Sequence, residues 1–157
     1  MSFLSWKVLH ILSAIVLFGV GLGSVFYKMM ADRSGNVAAI AVTSRHVVLA
    51  DWWFTTPTVI FQPLSGVLMA TQLELPLTES WLLAAYVLYA VAGLCWLPVV
   101  VLQIKLSEIA RQASNEGSEL PERYWFYTRI WMALGVPAFC AMIAIVVLMV
   151  FHDGLWH

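Results

Sequence analysis

The chain has 157 residues, of which 62% are hydrophobic and 11% charged, and its formal net charge is -1. An ordinary soluble domain carries roughly 45–50% apolar and about 25% charged residues, so a chain this apolar reads as a single integral membrane domain with the lipid bilayer as its partner. The near-neutral balance excludes the basic footprint of a nucleic-acid binder, and Cys95 and Cys140, both inside apolar runs, form no disulfide framework and no metal-ligand spacing.

Four apolar segments follow one another at about 3–27, 46–71, 80–105 and 124–151. Each exceeds the ~20 residues that span a bilayer core as a helix, and backbone polar groups inside lipid must be satisfied within the segment. The expected fold is therefore all-α, a four-helix antiparallel transmembrane bundle.

The first segment is longer than the ~7–15 residues of a signal-peptide core and reads as a permanent helix. Its stretch WKVLHILSAIVLFGVGLGSVF (6–26) carries His10, with Ser13, Ala14, Leu17, Gly21 and Ser24 on the same helical face. The neighbouring Gly19-x-x-x-Gly23 spacing permits close helix approach, and so a homodimer. Three roles fit His10: a buried histidine bonded to a neighbouring helix, an axial ligand of haem b, or a ligand of a transition metal such as copper. His46 lies roughly 25 Å away along the membrane normal and cannot share an iron with His10. A second axial ligand would come from Met142, Met149 or His152 in the fourth segment or Met69 in the second, although methionines also pack freely in apolar cores.

The first connection holds Lys28, Arg33 and Arg45. Within it, SGN (34–36) reads as a break and VAAIAVTSRHVV (37–48) as helix, so the second helix starts as early as Val37. The second segment opens with ADWWFTTPTVIFQP (50–63), which carries Asp51 ~7–8 Å into the apolar zone. Arg129 of the fourth segment sits at the same depth. A lone charge there costs roughly 2.5–3.5 kcal/mol, so such groups turn inward and pair. The expected result is an inner polar cluster of Asp51, Arg129 and Gln103, with His46 and Tyr127 nearby. It serves either as a structural lock between helices or as a proton or ligand site. Pro57, Pro63, Pro98 and Pro137 each bend their helices.

The second connection, TQLELPLTE (71–79), has Glu74 and Glu79 and no Lys or Arg, whereas the third, RQASNEGSELPER (111–123), reads as a polar loop flanked by Lys105 and containing Arg111 and Arg123. The positive-inside rule puts connections one and three in the cytoplasm of a bacterial inner membrane and both termini in the periplasm. Tryptophans fit the interfacial belts, Trp6, Trp81 and Trp156 outside and Trp52, Trp53, Trp125 and Trp131 inside, with Trp96 alone deep in a helix. No H-E-x-x-H, G-x-S-x-G or phosphate-binding glycine loop is present.

The motifs ADWWFTTP (50–57), QPLSG (62–66), CWLPVV with LQI (95–104) and YWFYTRIWMALGVPAF (124–139) resemble a bacterial family of integral membrane proteins, domain of unknown function 2269. This resemblance implies the four-helix membrane fold and no particular activity. WKVLHILSAIVLFG (6–19) is similar to the first helix of the HemJ-type protoporphyrinogen oxidases and of the copper resistance protein D group. That likeness implies a haem-associated histidine at His10, while ADWWFTTP stands where the HemJ type has a basic, tyrosine-containing pattern. The expected function is a small b-type haem-binding or redox membrane protein with a membrane redox partner. The alternatives are a dimeric transporter or metal-handling protein and a non-catalytic subunit of a membrane complex.

Overall fold

A computed structural model describes residues 2–155, with side chains through Phe151; the side chains of His152 and Asp153, and Trp156, fall outside it. The order is α1 (Phe3–Ser34), α2 (Val37–Ala50), a π-helical turn (Asp51–Thr55), α3 (Thr56–Gln72), α4 (Ser80–Glu116) and α5 (Glu122–Leu155), with no strand among the described residues.

Ser2 caps α1, its Oγ accepting from the Ser5 N–H at 3.3 Å. The helix does not stop near Tyr27 but continues to Ser34, because Lys28 and Asp32 pair across one helical turn, Nζ to Oδ2 at 2.8 Å. Gly35 ends it at φ +66, a left-handed position that a Cβ disfavours. Asn36 then caps α2, accepting from the Ala39 N–H at 3.1 Å.

The second apolar segment is not one regular helix. Pro57 cannot donate to the carbonyl four residues back, and its ring crowds that carbonyl. The backbone widens here into a π turn in which the Thr56 N–H reaches the Asp51 carbonyl. Asp51 and Thr55 face inward, and Trp52, Trp53 and Phe54 face outward. The flanking α2 and α3 have 14 and 17 residues. Among the described residues three helices, α1, α4 and α5, are each long and apolar enough to cross a membrane.

α4 runs for 37 residues, ~55 Å at the helical rise, against a hydrocarbon core of ~30 Å. The stretch RQASNE is its last turns, not a loop, because Ile109, Ala110 and Ala113 keep a buried stripe running through it. Gly117, at φ +62, ends the helix.

α4 packs chiefly on α5 and α2, and α1 packs on α3 and α2. The main core joins Ile40 and Val47 of α2, Val99, Leu106 and Ile109 of α4, and Tyr124 and Trp131 of α5. Large apolar side chains such as Ile15, Leu22, Trp53, Leu94 and Val150 point outward, a surface that suits lipid. The Gly19 stripe is not used for packing within the chain, since a Cβ there would meet nothing within 4 Å.

Candidate functional site

The inward face of α2, the π turn and α3 is a stripe of polar residues at helical spacing, seven positions apart at its start and then three or four. Ser44, Asp51, Thr55, Thr58, Gln62 and Ser65 are all buried, which is the placement expected of polar groups within lipid-embedded helices. Three polar groups form around this stripe and its neighbours.

The first joins α1 to α3. His10, 9% exposed, has its Nδ1 2.7 Å from Ser65 Oγ. Ser65 Oγ also lies 2.7 Å from the Phe61 carbonyl, to which it donates. Gln62 Nε2 donates to the His10 carbonyl at 2.9 Å and to Ser13 Oγ at 2.5 Å. A hydroxyl has one proton, so a Ser65 that donates to the backbone accepts from an Nδ1–H and leaves Nε2 as the imidazole's lone-pair nitrogen. The ring packs over Gly66, whose added Cβ would sit 3.8 Å from His10 Cε1.

The second group centres on Asp51, 8% exposed. Gln103 Nε2 donates to its Oδ2, and Trp131 Nε1 donates to Gln103 Oε1 at 3.4 Å. Trp96 also meets the carboxylate, and the Thr55 hydroxyl lies beside it without the geometry of a hydrogen bond to any described residue. Asp51, Thr55, Trp96, Gln103 and Trp131 line part of a largely apolar cavity of about 320 Å³ between α1, the π turn, α3, α4 and α5. Phe139 and Met142 also line it. Tyr89, in its wall, donates its hydroxyl to the Val59 carbonyl, the group that Pro63 leaves without a helical donor.

The third group ties α1 to α5. Lys28, 2% exposed, donates to Asp32 Oδ2 and to Tyr124 Oη, each at 2.8 Å. Tyr124 donates to Asp32 Oδ1 at 2.7 Å. The Lys28 ammonium also lies 5.9 Å from the centre of the Trp131 ring, so Trp131 touches both this group and the Asp51 group.

Residues 4–153 match the family described as predicted integral membrane proteins, domain of unknown function 2269. The chain belongs to this family. No curated protein and no solved structure matches it.

In this domain of unknown function 2269 protein, half of the inner cluster expected from sequence comes together. Asp51 and Gln103 meet, but Arg129 and His46 are exposed. Tyr124 and Trp131 set the inward phase of α5, and Arg129 stands about 200° around the helix from Trp131. Among the described residues the ion pair is Lys28–Asp32 instead. Trp131 is interior and not part of an interfacial belt. His10 does not line the cavity, while Met142 does, and Met149 is on the outer surface. His152 lies outside the described side chains.

Lys28, Asp32 and Tyr124 were not singled out by sequence reasoning, which placed Lys28 in a loop. Their signal is the Lys–Asp spacing of four inside a continuing helix. Thr55, Thr58 and Ser65 carry a similar signal, a polar stripe at helical spacing through an apolar run.

Proposed function

We propose that this protein is a multipass membrane protein that holds a small, largely apolar molecule in the cavity between its helices, with Asp51 and Gln103 engaging the molecule's polar end. One observation carries this reading: a buried carboxylate faces an apolar cavity of about 320 Å³, and an apolar pocket with a few convergent polar groups is the usual form of a ligand site. The volume lies near the lower end of the ~300–1,000 Å³ typical of such sites. Gly93 and Gly135 line the cavity, and a Cβ at either meets nothing within 4 Å. Leucine at those positions would fill the space without a backbone clash.

The test is a thermal-shift screen of the detergent-purified protein with small apolar compounds, run beside Gly135→Leu. A ligand at 100 times its Kd stabilises by about 2.7 kcal/mol. Stabilisation of the wild-type chain that Gly135→Leu abolishes is the expected result. Equal shifts in both proteins would overturn the reading.

In the same proposal the protein sits in a bacterial cytoplasmic membrane as four antiparallel crossings with both termini periplasmic. The second crossing is made by α3 together with the π turn and the end of α2. Arg33, Arg111 and Arg123 near the α1–α2 and α4–α5 connections, together with Arg45 in α2, support that orientation.

A second reading, haem b on His10 with a membrane redox partner, is favoured by the imidazole's geometry. A fixed Nδ1 partner such as Ser65 is how ligating histidines are oriented. Reduced and oxidised optical spectra of protein from a haem-replete host test it, with His10→Ala alongside. A Soret band lost in the variant supports it, and a colourless folded protein overturns it. Among the described residues no three His, Cys, Asp or Glu side chains gather as a metal site.

A further inference from the structure

Building on the cavity reading, we propose that the ligand is an organic monocation, an amine or quaternary ammonium with apolar substituents, whose charge is held by Asp51 against the tryptophan rings. Among the described residues no lysine or arginine lines the cavity. Lys28 is engaged by Asp32 and Tyr124, and Arg129 is turned outward. Gln103 meets the carboxylate through its amide nitrogen, while its oxygen is taken by Trp131. These hydrogen bonds spread the charge of Asp51 without cancelling it. A carboxylate in apolar surroundings is stable only with a proton or a cation beside it.

The remaining lining selects which cation. Trp96, Trp131 and Tyr89 line the same cavity, and the faces of aromatic rings attract cations, most strongly when desolvated. An inorganic ion requires a shell of oxygen ligands, about six to eight for calcium. Here the lining offers side-chain oxygens from Asp51, Thr55, Gln103, Ser24 and Tyr89, of which those of Gln103 and Tyr89 are already engaged, fewer than such a shell needs. The rest of the wall is apolar apart from Ser24, with Val59, Val99, Met132 and Phe139 among its residues, which suits hydrocarbon substituents. An anion would meet the carboxylate unshielded, and a neutral ligand would leave a proton as its sole compensation, whereas a cation pairs with it directly.

The experiment compares benzyltrimethylammonium with neopentylbenzene, its neutral carbon isostere. Binding is measured by calorimetry and thermal shift on the full chain in an uncharged detergent. Wild type, Asp51→Asn and Gly135→Leu are run in parallel. The expected result is that the cation binds wild type about 10–100-fold more tightly than the isostere, that Asp51→Asn removes this preference, and that Gly135→Leu blocks both compounds. The wild-type preference stands as a measurement even if Asp51→Asn fails to fold. Equal binding of the two compounds, still blocked by Gly135→Leu, would overturn the cation proposal and leave the cavity reading intact. Binding of neither compound would overturn both. A cation preference that persists in folded Asp51→Asn would overturn the role given to Asp51.

Discussion

Pro63 strips the Val59 carbonyl of its helical donor, and the Tyr89 hydroxyl supplies one from α4. The two residues are thus expected to be energetically coupled although they lie on different helices. Tyr89→Phe is expected to cost about 1–3 kcal/mol, the penalty of an unsatisfied buried acceptor. In a Pro63→Ala background, where residue 63 regains its N–H, the same change should cost clearly less. Denaturation in mild detergent measures the cycle, and simple additivity would show that the proline does not create the need for the tyrosine. Lys28 and Arg129 make a second contrast. Lys28 is buried in an ion pair and Arg129 is exposed. Removing one partner of a buried pair costs about 3–5 kcal/mol, so Lys28→Met should be severely destabilised. Arg129→Gln should stay within about 0.5 kcal/mol of wild type. Comparable losses in the two would mean that Arg129 faces the interior after all.

At the scale of elements, the helix ends follow from local rules and the helix interiors from packing. Gly35 and Gly117 stop α1 and α4 at φ +66 and +62, with nothing within 4 Å of an added Cβ. The cost of alanine at either position is therefore backbone strain alone, about 1–2 kcal/mol. Gly19 is also in open space but at an ordinary helical φ. Gly19→Ala is expected to be neutral or to stabilise by about 0.5–1 kcal/mol. Helical signal followed by circular dichroism through a denaturant titration distinguishes the two classes. A loss at Gly19 matching that at Gly35 would point to a partner surface on the α1 face. The π turn was less legible. Pro57 marks a disturbance in the sequence, but a kink and a π turn are both ways to accommodate it. The neighbouring helices that hold Asp51 and Thr55 inward and leave Trp52 and Trp53 outside decide the outcome.

On the whole-molecule scale, the proposed orientation makes an accessibility prediction. Thr78 lies in the acidic α3–α4 connection and Ser118 in the α4–α5 connection, and both are exposed. In a Cys95→Ser, Cys140→Ser background, Thr78→Cys is expected to react with a membrane-impermeant maleimide from outside intact spheroplasts. Ser118→Cys should react only after permeabilisation. Labelling of both from one side would break the proposed arrangement of crossings, and the reverse pattern would invert it.

The membrane class, the all-helical fold and the family were legible from the sequence, because apolar length and the motifs ADWWFTTP, QPLSG and YWFYTRIWMALGVPAF are local properties of the chain. Asn36 and the glycines that follow α1 and α4 likewise act through their own backbone. The sequence also indicated that Asp51 must turn inward, since an uncompensated charge is costly in lipid, and that Gln103 lies near enough to join it. Its partner was another matter. Depth alone made Arg129 the natural counter-ion, and depth is what a sequence reports well. The rotation of each helix about its axis is fixed by side chains from several helices packing at once, here Tyr124 and Trp131 of α5 against α2 and α4. That rotation sent Arg129 outward, brought Tyr124 to the Lys28–Asp32 pair of α1, and left the Asp51 carboxylate facing an apolar cavity.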